Sequence, residues 1–123
     1  MTSQIVARDD GFHEVTEEAG VVLAPDTPVE ELADHLNVDL VAVDFPAFTD
    51  GRGFSIARRL RELGFKGRLR ANGRLIADQY GMARRVGFDE VVVAPDVAER
   101  QPQEQWLARA DWKEWDHRAQ LAD

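Results

Sequence analysis

Three segments of the chain repeat one order of apolar and polar positions: HLNVDLVAVD, ELGFKGRLRA and RVGFDEVVVA. Each closes a helical stretch at Asn37, Gly64 or Gly87, residue types that tolerate the left-handed conformation at a helix end. An apolar residue follows, Val38, Phe65 or Phe88, placed to pack back on the last turn, and a strand-like run comes next. The stops lie 27 and 23 residues apart, a spacing that suits repeated helix and strand units. A second echo links VVLAPD at 21–26 with VVVAPD at 91–96, an apolar strand, a proline that ends ladder pairing and an aspartate able to cap a helix. The pattern predicts strands near 20–24, 39–45, 67–72 and 89–94 with helices between and after them. That is an α/β chain, a single domain over residues 1–123 with a small parallel four-stranded sheet and flanking helices. Two arrangements satisfy it, a flavodoxin-like sheet or a (βα)4 half-barrel that completes its burial by pairing as a homodimer. Residues 1–19 read as a variable N-terminal segment, and 101–123 as a tryptophan-rich C-terminal helix.

Helical periodicity sorts the next set of residues. Ile56, Leu60 and Leu63 form one apolar stripe, which turns Arg58, Arg59, Arg61 and Glu62 toward solvent; Ile76, Tyr80 and Ala83 form another. All three tryptophans lie after residue 101, and Trp112, Trp115 and Ala119 share a helical face that either covers the sheet, meets a second copy or docks another protein.

Composition narrows the function classes. At 123 residues the chain is long enough to bury about two thirds of its unfolded surface, and 44% apolar with 31% charged residues is the balance of an ordinary folded domain. Fifteen basic against twenty-three acidic residues give a net charge of −8, which argues against nucleic acid and against an anionic membrane as partners. Cysteine is absent, so disulfides, thiol nucleophiles and cysteine-held metal clusters are excluded, and any redox role needs a borrowed cofactor that the sequence does not name. The opening MTSQIVARDDG is not a charged-then-apolar leader and no long apolar run follows, so a cytoplasmic location is expected.

Ligands of parallel α/β sheets bind beyond the carboxyl ends of the strands. That rule gathers Asp26, Asp44, the turn Thr49–Gly53, Arg70, Asn72 and Asp96 at one edge. In TDGRG, Gly51 and Gly53 allow backbone N–H groups to approach an anion, Asp50 and Arg52 flank them, Ser55 adds a hydroxyl, and a helix N-terminus follows. The turn is thus a candidate oxyanion or phosphate site, or simply a capped helix start. In GRLRAN, Arg68 and Arg70 point to one face of a strand; either this is an edge strand with a wet face, or Arg70 reaches a partner such as Asp44. Asp78 and Gln79 open the third helix as caps or solvated groups. Histidines 13, 35 and 117 match no metal spacing, and no catalytic set of residues assembles.

The string DFPAFTDGRGFSIARRLRELGFKGRLRANG, continued by ADQYGMARRVGFDEV, resembles an uncharacterised bacterial family whose genes lie beside assimilatory sulfite reductase. Members are labelled as oxidoreductases of sulfite reduction, and the likeness runs from Val38 to Val93. The resemblance implies an accessory protein or oxidoreductase of that pathway, and places site residues at Asp50, Gly51, Arg52, Gly53, Ser55, Arg58, Arg70, Gly73, Asp78 and Gln79. Two features depart from the family pattern, RANG in place of a valine before the glycine and the tryptophan-rich tail. Two rival roles stand beside the enzyme, a non-catalytic docking or assembly subunit for sulfite reductase and a small-ligand sensor.

Overall fold

The computed structural model describes residues 3–47 and 49–112. Six strands form one sheet: β1 (Gln4–Arg8), β2 (Gly11–Val15), β3 (Val21–Leu23), β4 (Leu40–Phe45), β5 (Arg68–Gly73) and β6 (Glu90–Val92). Their order across the sheet is β2-β1-β6-β5-β4-β3. The four expected strands are present and pair in parallel, in chain order, while β1 runs antiparallel to both β2 and β6. The sheet is therefore six-stranded, not four-stranded. Within the N-terminal segment, Arg8 pairs with Gly11 across an Asp9–Asp10 turn, and the hairpin so formed, β1 and β2, extends the sheet beyond β6.

Helices α1 (Arg52–Glu62), α2 (Tyr80–Val86), α3 (Pro95–Arg100) and α4 (Gln103–Leu107), with 3-10 turns at Val29–His35 and Ala77–Gln79, fill the connections and the C-terminal side. Alternation along the strands decides where they pack. Val41, Val43, Phe45, Leu69, Ala71 and Val91 join one buried cluster with Leu32, Ile56, Leu60, Tyr80, Ala83, Val97 and Trp106, so among the described residues every helical element lies on the same face of the sheet. Parallel strands in chain order with helices on one face are singly wound. The order contains no reversal, and thus no switch-point crevice of the flavodoxin kind.

Two of the three expected helix stops have the predicted geometry. Gly64 and Gly87 adopt φ of +99° and +116°. Phe65 N–H reaches back to Leu60 O and Phe88 N–H to Ala83 O, both at 3.0 Å, and both rings are buried. Asn37 differs: among the described residues no non-glycine has positive φ, so the stretch before β4 ends in an ordinary turn. The α1 stripe is buried as expected at Ile56 and Leu60, but Arg61 is not a solvated face residue. Its guanidinium donates to the carbonyls of Phe65, Gly67 and Gly87 and to the Asp89 carboxylate, tying the end of α1 to the turns that enter β5 and β6.

The C-terminal residues are not one long helix over the described range. Trp106, on the five-residue α4, is 1% exposed and meets Tyr80 and Phe12 edge-on at 6.2 and 6.3 Å. Trp112 packs on Arg84, 4.8 Å from guanidinium carbon to ring centroid. Trp115 and Ala119, which completed the expected aromatic face, lie outside the described residues.

Candidate functional site: the helix-free face of the sheet

The predicted site residues fall into two separate groups. Asp50, Gly51, Arg52, Gly53 and Ser55 stand at the start of α1. Here Asp50 and Arg52 are each other's partner: the carboxylate accepts from Arg52 Nε at 3.0 Å, from Nη2 at 2.8 Å and from the backbone N–H at 3.2 Å. These bonds hold the Asp50 carboxyl below its ordinary range and raise the Arg52 value. A carboxylate of the chain itself thus takes the place expected of a bound anion at the helix start. Gly53 has a packing reason, since a Cβ there would lie 2.4 Å from the Phe45 ring. Gly51, at φ −86°, adopts a conformation open to any residue. Ser55 is exposed. Asp78 pairs with Arg109, and the Gln79 side chain accepts from the Ile76 N–H at 3.0 Å, closing its own turn.

Asp44 and Arg70 belong to the opposite face. β5 has a neighbour on each side, so Arg68 and Arg70 do not mark an edge strand. What leaves their face free of helices is the single winding. Strand register sets Ala42, Arg70 and Glu90 side by side on β4, β5 and β6. Arg70 pairs with Glu90, Nε to Oε2 at 2.7 Å, rather than with Asp44, which accepts from Asn72 Nδ2 at 2.6 Å. Glu90 is fully buried and also accepts from Arg8 Nε at 3.1 Å, so one carboxylate serves two guanidinium groups. Val6, Val15 and Val92 form a small apolar cluster on the same face.

A strap of chain completes the wall. Residues 16–20 run from β2 at one edge to β3 at the other, and bonds from the strap to β4 and β5 lay it across the helix-free face. Glu17 O accepts from Arg70 Nη1 at 3.0 Å, the Glu17 carboxylate accepts from Arg68 at 2.7 Å, and Gly20 N–H donates to Leu40 O at 2.8 Å. The bond from Arg68 holds the Glu17 carboxyl below its usual range. Between strap and sheet lies a cavity of about 370 Å³ lined by Gln4, Thr16, Glu17, Glu18, Ala19, Val22, Ala42, Arg70 and Asn72. Arg70 is 3% exposed, and its Nη2 is buried without a hydrogen-bond partner. Buried guanidinium donors are almost always satisfied, so Nη2 is a buried donor group that stays open to an acceptor.

The sequence profile of a bacterial protein family of unknown function, DUF934, matches residues 20–118. The chain belongs to the DUF934 family. Arg70, Asn72 and Glu90 fall inside the stretch matched to DUF934, while β1, β2 and most of the strap precede it. No curated protein and no solved structure matches the chain. Among the described residues there is no group of side chains suited to hold a metal ion and no helix long and apolar enough to cross a membrane.

Sequence reasoning missed Glu90, Glu17 and Arg8, the residues that organise Arg70. The signal was present in part. An acidic residue opens the apolar run EVVV, and two arginines alternate in GRLRAN. Only the register shows that they meet.

Proposed function

We propose that the chain is a cytoplasmic accessory protein of assimilatory sulfite reduction that binds a small ligand through an acidic oxygen group. The free Nη2 of Arg70, at a polar cavity, carries the binding half of this reading. The pathway half rests on the likeness of residues 38–93 to proteins encoded beside sulfite reductase. The anion site moves from the TDGRG turn to Arg70, because Asp50 and Arg52 satisfy each other and Gly53 serves the Phe45 ring. Binding is the chemistry that Arg70 and Asn72 can perform with the atoms they carry. The oxidoreductase label then describes the sulfite reductase system that the chain assists, with the reductase as its partner.

The test is deletion of the gene and growth on sulfate, sulfite, sulfide or cysteine as sole sulfur source, with complementation by wild type and by Arg70→Lys. Growth should fail on sulfate and sulfite alone, and Arg70→Lys should restore it poorly. Equal growth on all four sources removes the pathway role. Full complementation by a folded Arg70→Lys protein removes the binding role of Arg70.

A further inference from the structure

We infer that the Arg70 cavity takes a small zwitterionic amino acid, its carboxylate on the free Arg70 Nη2 and its ammonium group toward Glu18. This rests on the reading of Arg70 as a ligand site and names the ligand class. Charge around the cavity decides it. Arg70 shares Glu90 with Arg8, and Arg68 is countered by Glu17 at 2.7 Å. With Glu18 the three arginines face three carboxylates, so what Arg70 lacks is an acceptor for its Nη2 group within a set of groups that is neutral as a whole.

Glu17 and Glu18 line the same cavity, and Glu18 is exposed with no ion pair or hydrogen bond among the described residues. A sulfate or sulfite dianion entering here brings two negative charges beside the Glu17 and Glu18 carboxylates, more than the charge that Arg70, sharing Glu90 with Arg8, has left to offer. A simple amine finds Glu18 but leaves Nη2 unsatisfied. A zwitterion answers both groups and brings no net charge into a site that has none to offset. Gln4 and Asn72 add amide groups to the wall for a polar side chain, and about 370 Å³ holds a ligand of this size.

Entry involves the strap. Arg70 Nη2 is shielded from solvent, and the Glu17 carbonyl sits on the neighbouring Nη1. The strap therefore yields for the ligand carboxylate to reach Nη2 beside the Glu17 carbonyl, and closes again with Glu18 at the ammonium group.

The experiment is calorimetric titration near pH 7, where both ligand groups are ionised, with alanine, serine, methionine, acetate, ethylammonium, sulfite and sulfate as separate probes. Wild type is compared with Glu18→Gln and Arg70→Lys, each checked by a melting curve. At least one amino acid should bind more tightly than acetate or ethylammonium. Glu18→Gln should weaken amino-acid binding roughly five-fold, the scale of an exposed ion pair, and leave acetate unchanged; Arg70→Lys should weaken both. Should Arg70→Lys fail to fold, the exposed Glu18 variant still decides. Binding of sulfite or sulfate with the amino acids silent overturns this inference and leaves Arg70 as an anion site. Amino-acid binding indifferent to Glu18→Gln overturns the ammonium placement. Silence from every probe at about 10 mM overturns both the ligand class and the site.

Discussion

Replacing Arg61 by alanine removes a clamp rather than a surface charge. Its guanidinium makes five hydrogen bonds: Nε and Nη2 to Gly87 O at 3.0 and 2.8 Å, Nη1 to Phe65 O and Gly67 O at 2.9 Å each, and Nη2 to Asp89 Oδ2 at 2.9 Å. At about 0.5–1.5 kcal/mol net per bond the raw sum exceeds any plausible effect of one side chain. The five bonds share a single group, so they are not additive, and water reaches the freed carbonyls because the side chain is 27% exposed. The expected loss is about 2–4 kcal/mol. For a domain of this size that lowers the melting temperature by roughly 8–16 °C. Urea unfolding followed by circular dichroism, on wild type, Arg61→Ala, Arg61→Lys and Arg59→Ala, measures it. Arg59 is the internal control, being exposed with one 3.9 Å pair to Glu62, and should change stability by no more than about 0.5 kcal/mol. Arg61→Lys keeps the charge beside Asp89 but cannot fork to three carbonyls, so it should fall between. If Arg61→Ala and Arg59→Ala unfold at the same urea concentration, the clamp contributes nothing and the reasoning fails.

Gly64→Val and Gly87→Val should both destabilise, unequally. At Gly64 a Cβ meets nothing within 4 Å, leaving only the strain of positive φ, about 1 kcal/mol, whereas at Gly87 it would lie 2.5 Å from Arg61 Cγ and disturb the clamp as well; equal melting temperatures would contradict this. Glu90→Gln strips Arg8 and Arg70 of their shared buried carboxylate and should cost about 3–5 kcal/mol in urea unfolding, a loss under about 1 kcal/mol meaning that water screens the pair. Burial raises the Asp9 carboxyl value, but bonds from Tyr80, Arg84 and Trp112 outweigh it and leave the folded value low. Its contribution is thus complete above the unfolded value of about 4 and fades as pH falls through the folded one. Melting curves below about pH 4 should therefore fall less steeply for Tyr80→Phe than for wild type, and parallel acid limbs would show that Asp9 is not the group responsible.

The parallel core was legible because its signals are local. Apolar runs, the glycine stops and the phenylalanines that follow them repeat in Gly64–Phe65 and Gly87–Phe88, and both stops have the geometry their residue types imply. The N-terminal hairpin was not legible, since QIVAR and GFHEV are short, half-polar strands whose antiparallel place beside β6 depends on long-range pairing. The two arginine misreadings have one cause. Periodicity tells which way a side chain leaves its element, not what the rest of the chain places there. Arg61 leaves α1 away from the apolar stripe and meets turn carbonyls from two other connections, and Arg70 leaves β5 away from the core and meets Glu90.

A singly wound sheet explains why charged chemistry collects where it does. With every described helical element on one face, no described helix packs on the opposite face of β5 and β6, so Arg70 and Glu90 can occupy interior strands that would be apolar on both sides in a doubly wound sheet. The strap then removes those groups from water without supplying an apolar surface. It contributes a carbonyl to Arg70 and a carboxylate to Arg68, and leaves Arg70 Nη2 without a partner. A helix laid on the same face could not do this, because its backbone carbonyls are already engaged within the helix. An extended segment keeps its carbonyls free, and the strap from Thr16 to Gly20 carries no large apolar side chain to fill the space beneath it. The cavity at Arg70 follows from that choice of cover, and so does its dependence on Glu17 and Glu18, which reach it only through the strap.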